Sequence, residues 1–501
     1  MFDTKKTIFL TGAVLILIVG VILILLYISL PLPKSDITGN LNKYNLIIIN
    51  IDALRADHLG CYGYHRNTSP FIDSLAQNGM VFERAMSNSS FTRESVSVLF
   101  SGRLPSSGHS VGWGAKPSSK VKNIGELFKE AGYNTGFFSN SYALKNPAFT
   151  RGFKEIWYCE SRGISRNGPK LSRRAGEFIK KCKDEGQKFM MYLHFLDPHG
   201  PYKPPKKFYL QFAQRLYPGS LHLYKYVRMN CEKLIKEGFG PGDGRFEDMV
   251  LRYDAEIAHV DQSIELLFNR LKRYHLLNNT FVVITADHGE EFLEHNYVAH
   301  GWTLYNESLH IPLILWAPGS IRTKRFNTLV STVDILPTIL ELMEISHKRN
   351  DFDGTSLFKY KKRGFYFTPP SKPFISELFL EDRNLIRAVI KDNLKYITAI
   401  KWLEPQERPN VIKNGNDLKR KKKSHVNIWG PIIREELYDL STDKKEKHNI
   451  SNKEKRRELR NIIKKYRIFC KRKGLKHTSD DDKKPPLSEK DKKKLKSLGY
   501  L

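Results

Sequence analysis

The sequence predicts an α/β fold: a mainly parallel sheet with helices on both faces, followed by a small C-terminal α+β subdomain with an antiparallel sheet. Three observations predict it. Short apolar runs bounded by polar residues, NLIIINI at 45–51 and FVVIT at 281–285, have the length and composition of strands buried on both faces. Helical stretches alternate with such runs, as in the helix over 123–131 before the strand over 133–138, and this alternation builds parallel sheets. From about residue 371 the pattern changes to short alternating runs, FISELFL, NLIRAVIKDN, LKYITAI and ELYDL, which suit an antiparallel sheet.

The first apolar run ends in Asp52, and the strand over 281–285 runs into Asp287-His288-Gly289. In open α/β sheets, ligands bind beyond the carboxyl ends of the strands. A carboxylate beside an imidazole is a ready divalent-metal pair, while Asp-His-Gly is equally ordinary turn chemistry. Asp52 repeats the arrangement at a second strand end. Between the two strands, SNSSFTRESVSVLFSGR leads a polar stretch into a short helix that begins about Thr92. There Thr92 is either an N-cap or, on a metal at an anion-favouring helix start, a nucleophile.

Between these blocks the chain reads as scaffold. Ile257, Val260, Ile264, Leu267 and Leu271 form one apolar helical stripe, which assigns His259 and Asp261 to the solvent side. The segment 202–244 lacks periodicity and reads as an insertion at the rim of the site.

Residues 8–30 are almost wholly apolar and long enough to span a bilayer. Before Pro31 there is no small-x-small cleavage site, so an uncleaved signal anchor is expected. Lys5 and Lys6 bias residues 1–7 to the cytoplasm, so a single-pass membrane protein with its large domain outside the cytoplasm is expected. The expected organisation is then a linker over 31–44, a large α/β domain over 45–370, a C-terminal subdomain over 371–450 and a basic tail over 451–501.

With 83 Lys and Arg against 53 Asp and Glu, the net charge is +30, which favours polyanionic partners. No basic stretch is interleaved with aromatics, so nucleic acid is not expected. The Lys-rich insertion at 417–424 and the tail at 453–496 read first as solvated or disordered, and second as an electrostatic foot on an anionic membrane. Five cysteines without CxxC spacing indicate neither a disulfide framework nor a zinc site.

The blocks DALRADHLGCYG, TRESVSVLFSGRLP, HFLDPHGPYKPP, TADHGEEF, HGWTLYNESLHIPLILWAPG and ELYDLSTDKKEKHNI together resemble the sulfatase family of the alkaline phosphatase superfamily, in that family's order. The resemblance implies an alkaline-phosphatase-like fold and a metal-dependent hydrolase or transferase acting on an esterified oxyanion. It implies metal ligation by Asp52, Thr92, Asp287 and His288, with Thr92 as nucleophile. His199 and His300 would face the oxyanion or leaving group, and Asn140 stands in the substrate-binding position where sulfatases often keep a Lys. Each histidine taken alone is equally a satisfied turn residue.

Departures from the family pattern refine the expectation. Sulfatases carry Cys or Ser in a C/S-x-P-x-R pattern that matures to formylglycine, whereas this chain has Thr92-Arg93-Glu94-Ser95-Val96, and its paired aspartates are reduced to Asp52-Ala53. This resembles the Thr-nucleophile branch, the phosphodiesterases and phosphotransferases that act through a covalent phospho-threonine. A phosphate (di)ester of an envelope lipid or polysaccharide is therefore the expected substrate. The alternatives are an arylsulfatase-like sulfuric-ester hydrolase and an inactive protein that binds anionic glycans or lipids. One divalent ion is expected, with Mn²⁺, Zn²⁺ or Mg²⁺ favoured over Ca²⁺ because a His stands among the ligands. A second ion on Asp197, His199 and His300 is the alternative to Asp197 being a turn former before Pro198. The sequence does not determine the oligomeric state.

Overall fold

Runs of Ile, Val, Phe and Met with no polar alternation form strands only where both faces are covered, and that is how they fold here. The computed structural model describes residue 19 and residues 35–472, apart from 40, 113, 160–166, 214–229, 362–363, 381–383 and 403–428. The strands of the first sheet are β1 (Asn45–Ile51), β2 (Met80–Met86), β3 (Asn134–Ser139), β4 (Glu155–Tyr158), β5 (Phe189–Phe195), β6 (Thr280–Ala286), β9 (His310–Ile311), β10 (Leu313–Trp316) and β11 (Lys324–Ser331). A hairpin of β7 (Glu291–Phe292) and β8 (Val298–Ala299) stands outside it.

The sheet order is β11-β2-β10-β6-β1-β5-β3-β4, with β9 alongside β2. All neighbours run parallel except β9 and β10, which are antiparallel to theirs. Every residue of β1, β5 and β6 is buried, so the centre of the sheet is covered on both faces.

The helices that frame the sheets include α1 (Pro70–Gln77), α2 (Thr92–Ser101), α3 (Ile124–Glu130), α4 (Gly168–Asp184), α5 (Lys206–Phe212), α6 (Gly244–Arg273), α7 (Thr332–Leu342) and α8 (Lys453–Arg472). Helices α1, α4 and α5 pack around the long α6, while α2 contacts α3 and α7. After a two-stranded ribbon, β12 (Phe358–Lys361) and β13 (Gly364–Phe367), comes an antiparallel sheet of β14 (Phe374–Phe379), β15 (Asn384–Lys391), β16 (Leu394–Trp402) and β17 (Trp429–Asp439).

Four expectations are corrected. Part of the expected linker belongs to the fold, because Ile37 is fully buried and bridges Phe365 and Ile321. The start of the basic tail is the helix α8, which buries Leu459, Ile463 and Tyr466 against Ile375, Val389 and Leu437. Its apolar residues recur at helical spacing among the charges, which a reading by charge density overlooks. The 202–244 segment contains α5, whose Phe208 and Tyr209 are buried against α6. His259 and Asp261 are buried, since α6 is covered on more than its apolar stripe. The Asp261 carboxylate accepts the N–H groups of Phe71 (3.0 Å) and Ile72 (2.8 Å) at the start of α1.

Among the described residues no helix is long and apolar enough to cross a membrane. The span expected over 8–30, residue 19 apart, the insertion at 417–424 and the tail beyond 472 lie outside the described residues.

Candidate active site at the sheet edge

Register brings the two acidic strand ends together. Ile51 pairs with Ala286 across β1 and β6, so the next residues, Asp52 and Asp287, emerge side by side. On the other flank of β1, Asp52 N–H donates to the Phe195 carbonyl at 2.9 Å. Glycine at 289 is a packing requirement: a Cβ there would stand 2.0 Å from the Glu307 carbonyl oxygen. The loop after β6 can therefore turn tightly only with glycine behind the histidine.

Thr92 is the first residue of α2, and Phe91 occupies the cap position with no side-chain cap. The hydroxyl is thus not spent on capping. Fully buried, it stands 3.0 Å from His288 Nε2. His288 Nδ1–H donates to the Gly289 carbonyl (2.8 Å), so Nε2 carries the lone pair. Nε2 also lies 3.6 Å from Asp52 Oδ1 and 3.5 Å from Asp287 Oδ2.

Those two carboxylate oxygens are buried and make no hydrogen bond among the described residues. Burial, and then the charge of Asp287, push the Asp52 carboxyl well above the usual carboxylate range. Two acids, an imidazole lone pair and a hydroxyl converging in a buried site fit a divalent cation, which would offset both burial and repulsion.

His194 belongs to this arrangement and was not singled out from the sequence. Its Nδ1 accepts from Tyr192 O–H (2.9 Å) and the Asn50 amide (3.1 Å), so Nε2–H donates to Asp52 Oδ2 at 3.0 Å. Burial pushes its pKa down to about 4, which keeps the ring neutral. It therefore orients Asp52 rather than competing with it. The available signal was a polar residue inside each of two apolar strands: Asn50 and His194 are register partners.

A second set of groups borders the first. The His288 and His300 ring centres lie 4.2 Å apart, and those of His300 and His199 4.8 Å. Glu290 Oε2 accepts from His300 Nδ1 (2.8 Å) while its Oε1 accepts from Tyr202 O–H (2.6 Å). His199 Nδ1–H donates to the Gly200 carbonyl (2.6 Å), and burial with the neighbouring His300 pushes its pKa well down. Sequence reasoning also passed over Glu290, because its partners lie ten and 88 residues away.

Asn140 sits at the end of β3, where its Oδ1 accepts Leu196 N–H at 2.6 Å. Its buried Nδ2 makes no hydrogen bond among the described residues. The second-ion set of Asp197, His199 and His300 is not what the structure groups. His199 and His300 come together, but the Asp197 carboxylate clusters with Glu256 and His259 of α6.

The sheet and its loaded edge define an alkaline-phosphatase-like α/β hydrolase scaffold. The family model described as Sulfatase matches residues 44–345, and the chain belongs to the sulfatase family. Among curated relatives, an uncharacterised sulfatase of Escherichia coli (strain K12) is 23% identical over 347 residues, covering 61% of this chain and 69% of that protein. Among solved structures, an enzyme in complex with its substrate D-glucosamine-2-N,6-O-disulfate superposes with a TM-score of 0.66 at 17% identity, covering 86% of this chain and 98% of that one. The phosphonate monoester hydrolase of Agrobacterium radiobacter superposes with a TM-score of 0.60 at 16% identity, covering 86% and 96%.

Proposed function

We propose that this sulfatase-family hydrolase acts on phosphate esters, diesters foremost, through a covalent intermediate on Thr92. One observation carries the reading. The residue that meets His288 Nε2 at 3.0 Å, beside Asp52 and Asp287, is an unmodifiable threonine where formylglycine chemistry needs Cys or Ser.

Asp52, Asp287, His288 and Thr92 would hold a divalent ion, which when bound lowers the pKa of a hydroxyl and offsets charge on an oxyanion. The chain's own residues do the rest. Thr92 Oγ1, fixed at the start of α2, attacks the phosphorus as the bond to the leaving alcohol breaks. The Thr92 proton passes to Nε2 of His300, whose Nδ1–H is held by Glu290, and His300 returns it to the departing oxygen; His199, kept neutral by burial, lies beside it. Burial of Thr92, Asp52 and His288 keeps bulk water from the attacking oxygen. Water or an acceptor alcohol then releases the phosphoryl group from Thr92.

The apolar stretch over 8–30 and Lys5 and Lys6 before it support an anchored, extracytoplasmic enzyme with an envelope lipid or polysaccharide substrate. Trapping tests the mechanism. Metal-loaded protein quenched in acid during turnover of an aryl phosphodiester should carry a phosphoryl adduct that maps to Thr92 by mass spectrometry and is absent from Thr92→Ala. Turnover without any adduct in wild type would refute covalent catalysis.

A second reading, sulfuric-ester hydrolysis with unmodified Thr92, is favoured by the sulfatase names and sulfated ligand among the similar proteins. It requires aryl sulfate turnover that is lost in Thr92→Ala.

A further inference from the structure

Beyond the Thr92 site, α6 carries Glu256-Ile-Ala-His259, an E-x-x-H spacing that sets both side chains on one helical face. That spacing serves metal sites in helical bundles. The loop after β5 brings Asp197 to the same face, and one ligand atom from each of the three residues lies within 4.8 Å of the others. All three are buried: Asp197 and Glu256 fully, His259 to within 5%. Asp197 Oδ1 and His259 Nδ1 stand 3.6 Å apart. Bonds of about 2.0–2.2 Å to a tetrahedral ion would separate its ligand atoms by about 3.4 Å.

His259 Nδ1 supplies the independent sign of a ligand. It is buried, aimed at Asp197, and makes no hydrogen bond among the described residues. A histidine placed only to neutralise Asp197 would close to hydrogen-bond distance, about 2.8 Å. Glu256 Oε1 is partly engaged by Lys203 N–H at 2.6 Å, which orients the carboxylate.

We propose that Asp197, Glu256 and His259 form a second cation site, distinct from the Asp52, Asp287 and His288 cluster, that takes a divalent transition ion, Zn²⁺ or Mn²⁺. Carboxylate oxygen and imidazole nitrogen are both donor types that such ions accept. The ion ties the loop carrying His199 to α6. It is a structural tie, two residues from a histidine that borders the Thr92 site.

The test uses the full-length chain, stripped with chelator, reloaded separately with Zn²⁺ or Mn²⁺, desalted and assayed by elemental analysis. Wild type should retain two equivalents, His259→Gln one, Asp287→Asn one, and the double variant none. A single equivalent in wild type that Asp287→Asn abolishes overturns the proposal. So does His259→Gln with two equivalents. If instead Asp287→Asn keeps two, the Thr92 site is misassigned while this one stands or falls by His259→Gln alone. Should His259→Gln not fold by circular dichroism, anomalous diffraction at the metal edge on wild-type crystals decides. A peak among Asp197, Glu256 and His259 supports the site, and a flat map there overturns it.

Discussion

A few buried polar groups, held by their neighbours, set up the Thr92 site. His194 illustrates it, since a neutral imidazole locked by Tyr192 and Asn50 fixes Asp52 through one hydrogen bond. Partners of this kind typically change metal affinity 10–100-fold. His194→Gln should therefore weaken Mn²⁺ binding by about that factor in calorimetry, with the fold intact by circular dichroism. The same residue sets a pH dependence. Its folded pKa of about 4 lies below the ordinary 6.5, so the unfolded chain binds more protons between those values. Stability should hold above pH 6.5 and fall as pH drops towards 4, by up to about 3 kcal/mol from this group. Urea midpoints across that range check it, and His194→Gln should flatten the slope.

Elements set those residues in place, and this is where the sequence was most and least readable. Strand ends abutting carboxylates made Asp52 and Asp287 legible, because a buried strand and its terminal acid are neighbours in the chain. His194 and Glu290 were not, because their roles arise from register and loop closure between distant segments. His259 was assigned to solvent by an amphipathic reading of α6. That reading fails when a helix is covered by α1, α4 and α5 as well as facing the apolar core. Asn88 shows how elements communicate: its amide donates to Ile375 O (2.7 Å), and its Oδ1 accepts Val333 N–H (2.9 Å). The loop leading to Thr92 is thereby pinned to the C-terminal sheet and to α7. Helix α8 makes the clearest prediction at this scale. Replacing buried Ile463 by Ala should cost about 2–4 kcal/mol in chemical denaturation. A loss below about 0.5 kcal/mol would mean that the helix does not dock as described.

For the whole molecule, a net charge of +30 favours attraction to anionic partners, and the proposed work at an envelope surface draws on it. The ten Lys and Arg of α8 against two Glu concentrate that charge next to the C-terminal sheet. Attraction of this origin is screened over about 10 Å at 0.1 M salt. A protein lacking residues 1–34 should bind vesicles containing phosphatidylserine at low salt and release them as salt rises. Salt-insensitive binding would assign the contact to apolar insertion instead. If, as proposed, a buried threonine among metal-binding side chains performs phosphoryl transfer on this sulfatase-family scaffold, diester turnover must depend on it. Turnover by metal-loaded protein of matched aryl phosphate monoester, phosphodiester and sulfate substrates, beside Thr92→Ala, decides it. Diester turnover that is fastest in wild type and vanishes in the mutant is the predicted result. Turnover of the sulfate alone, or diester turnover that survives in Thr92→Ala, would contradict it.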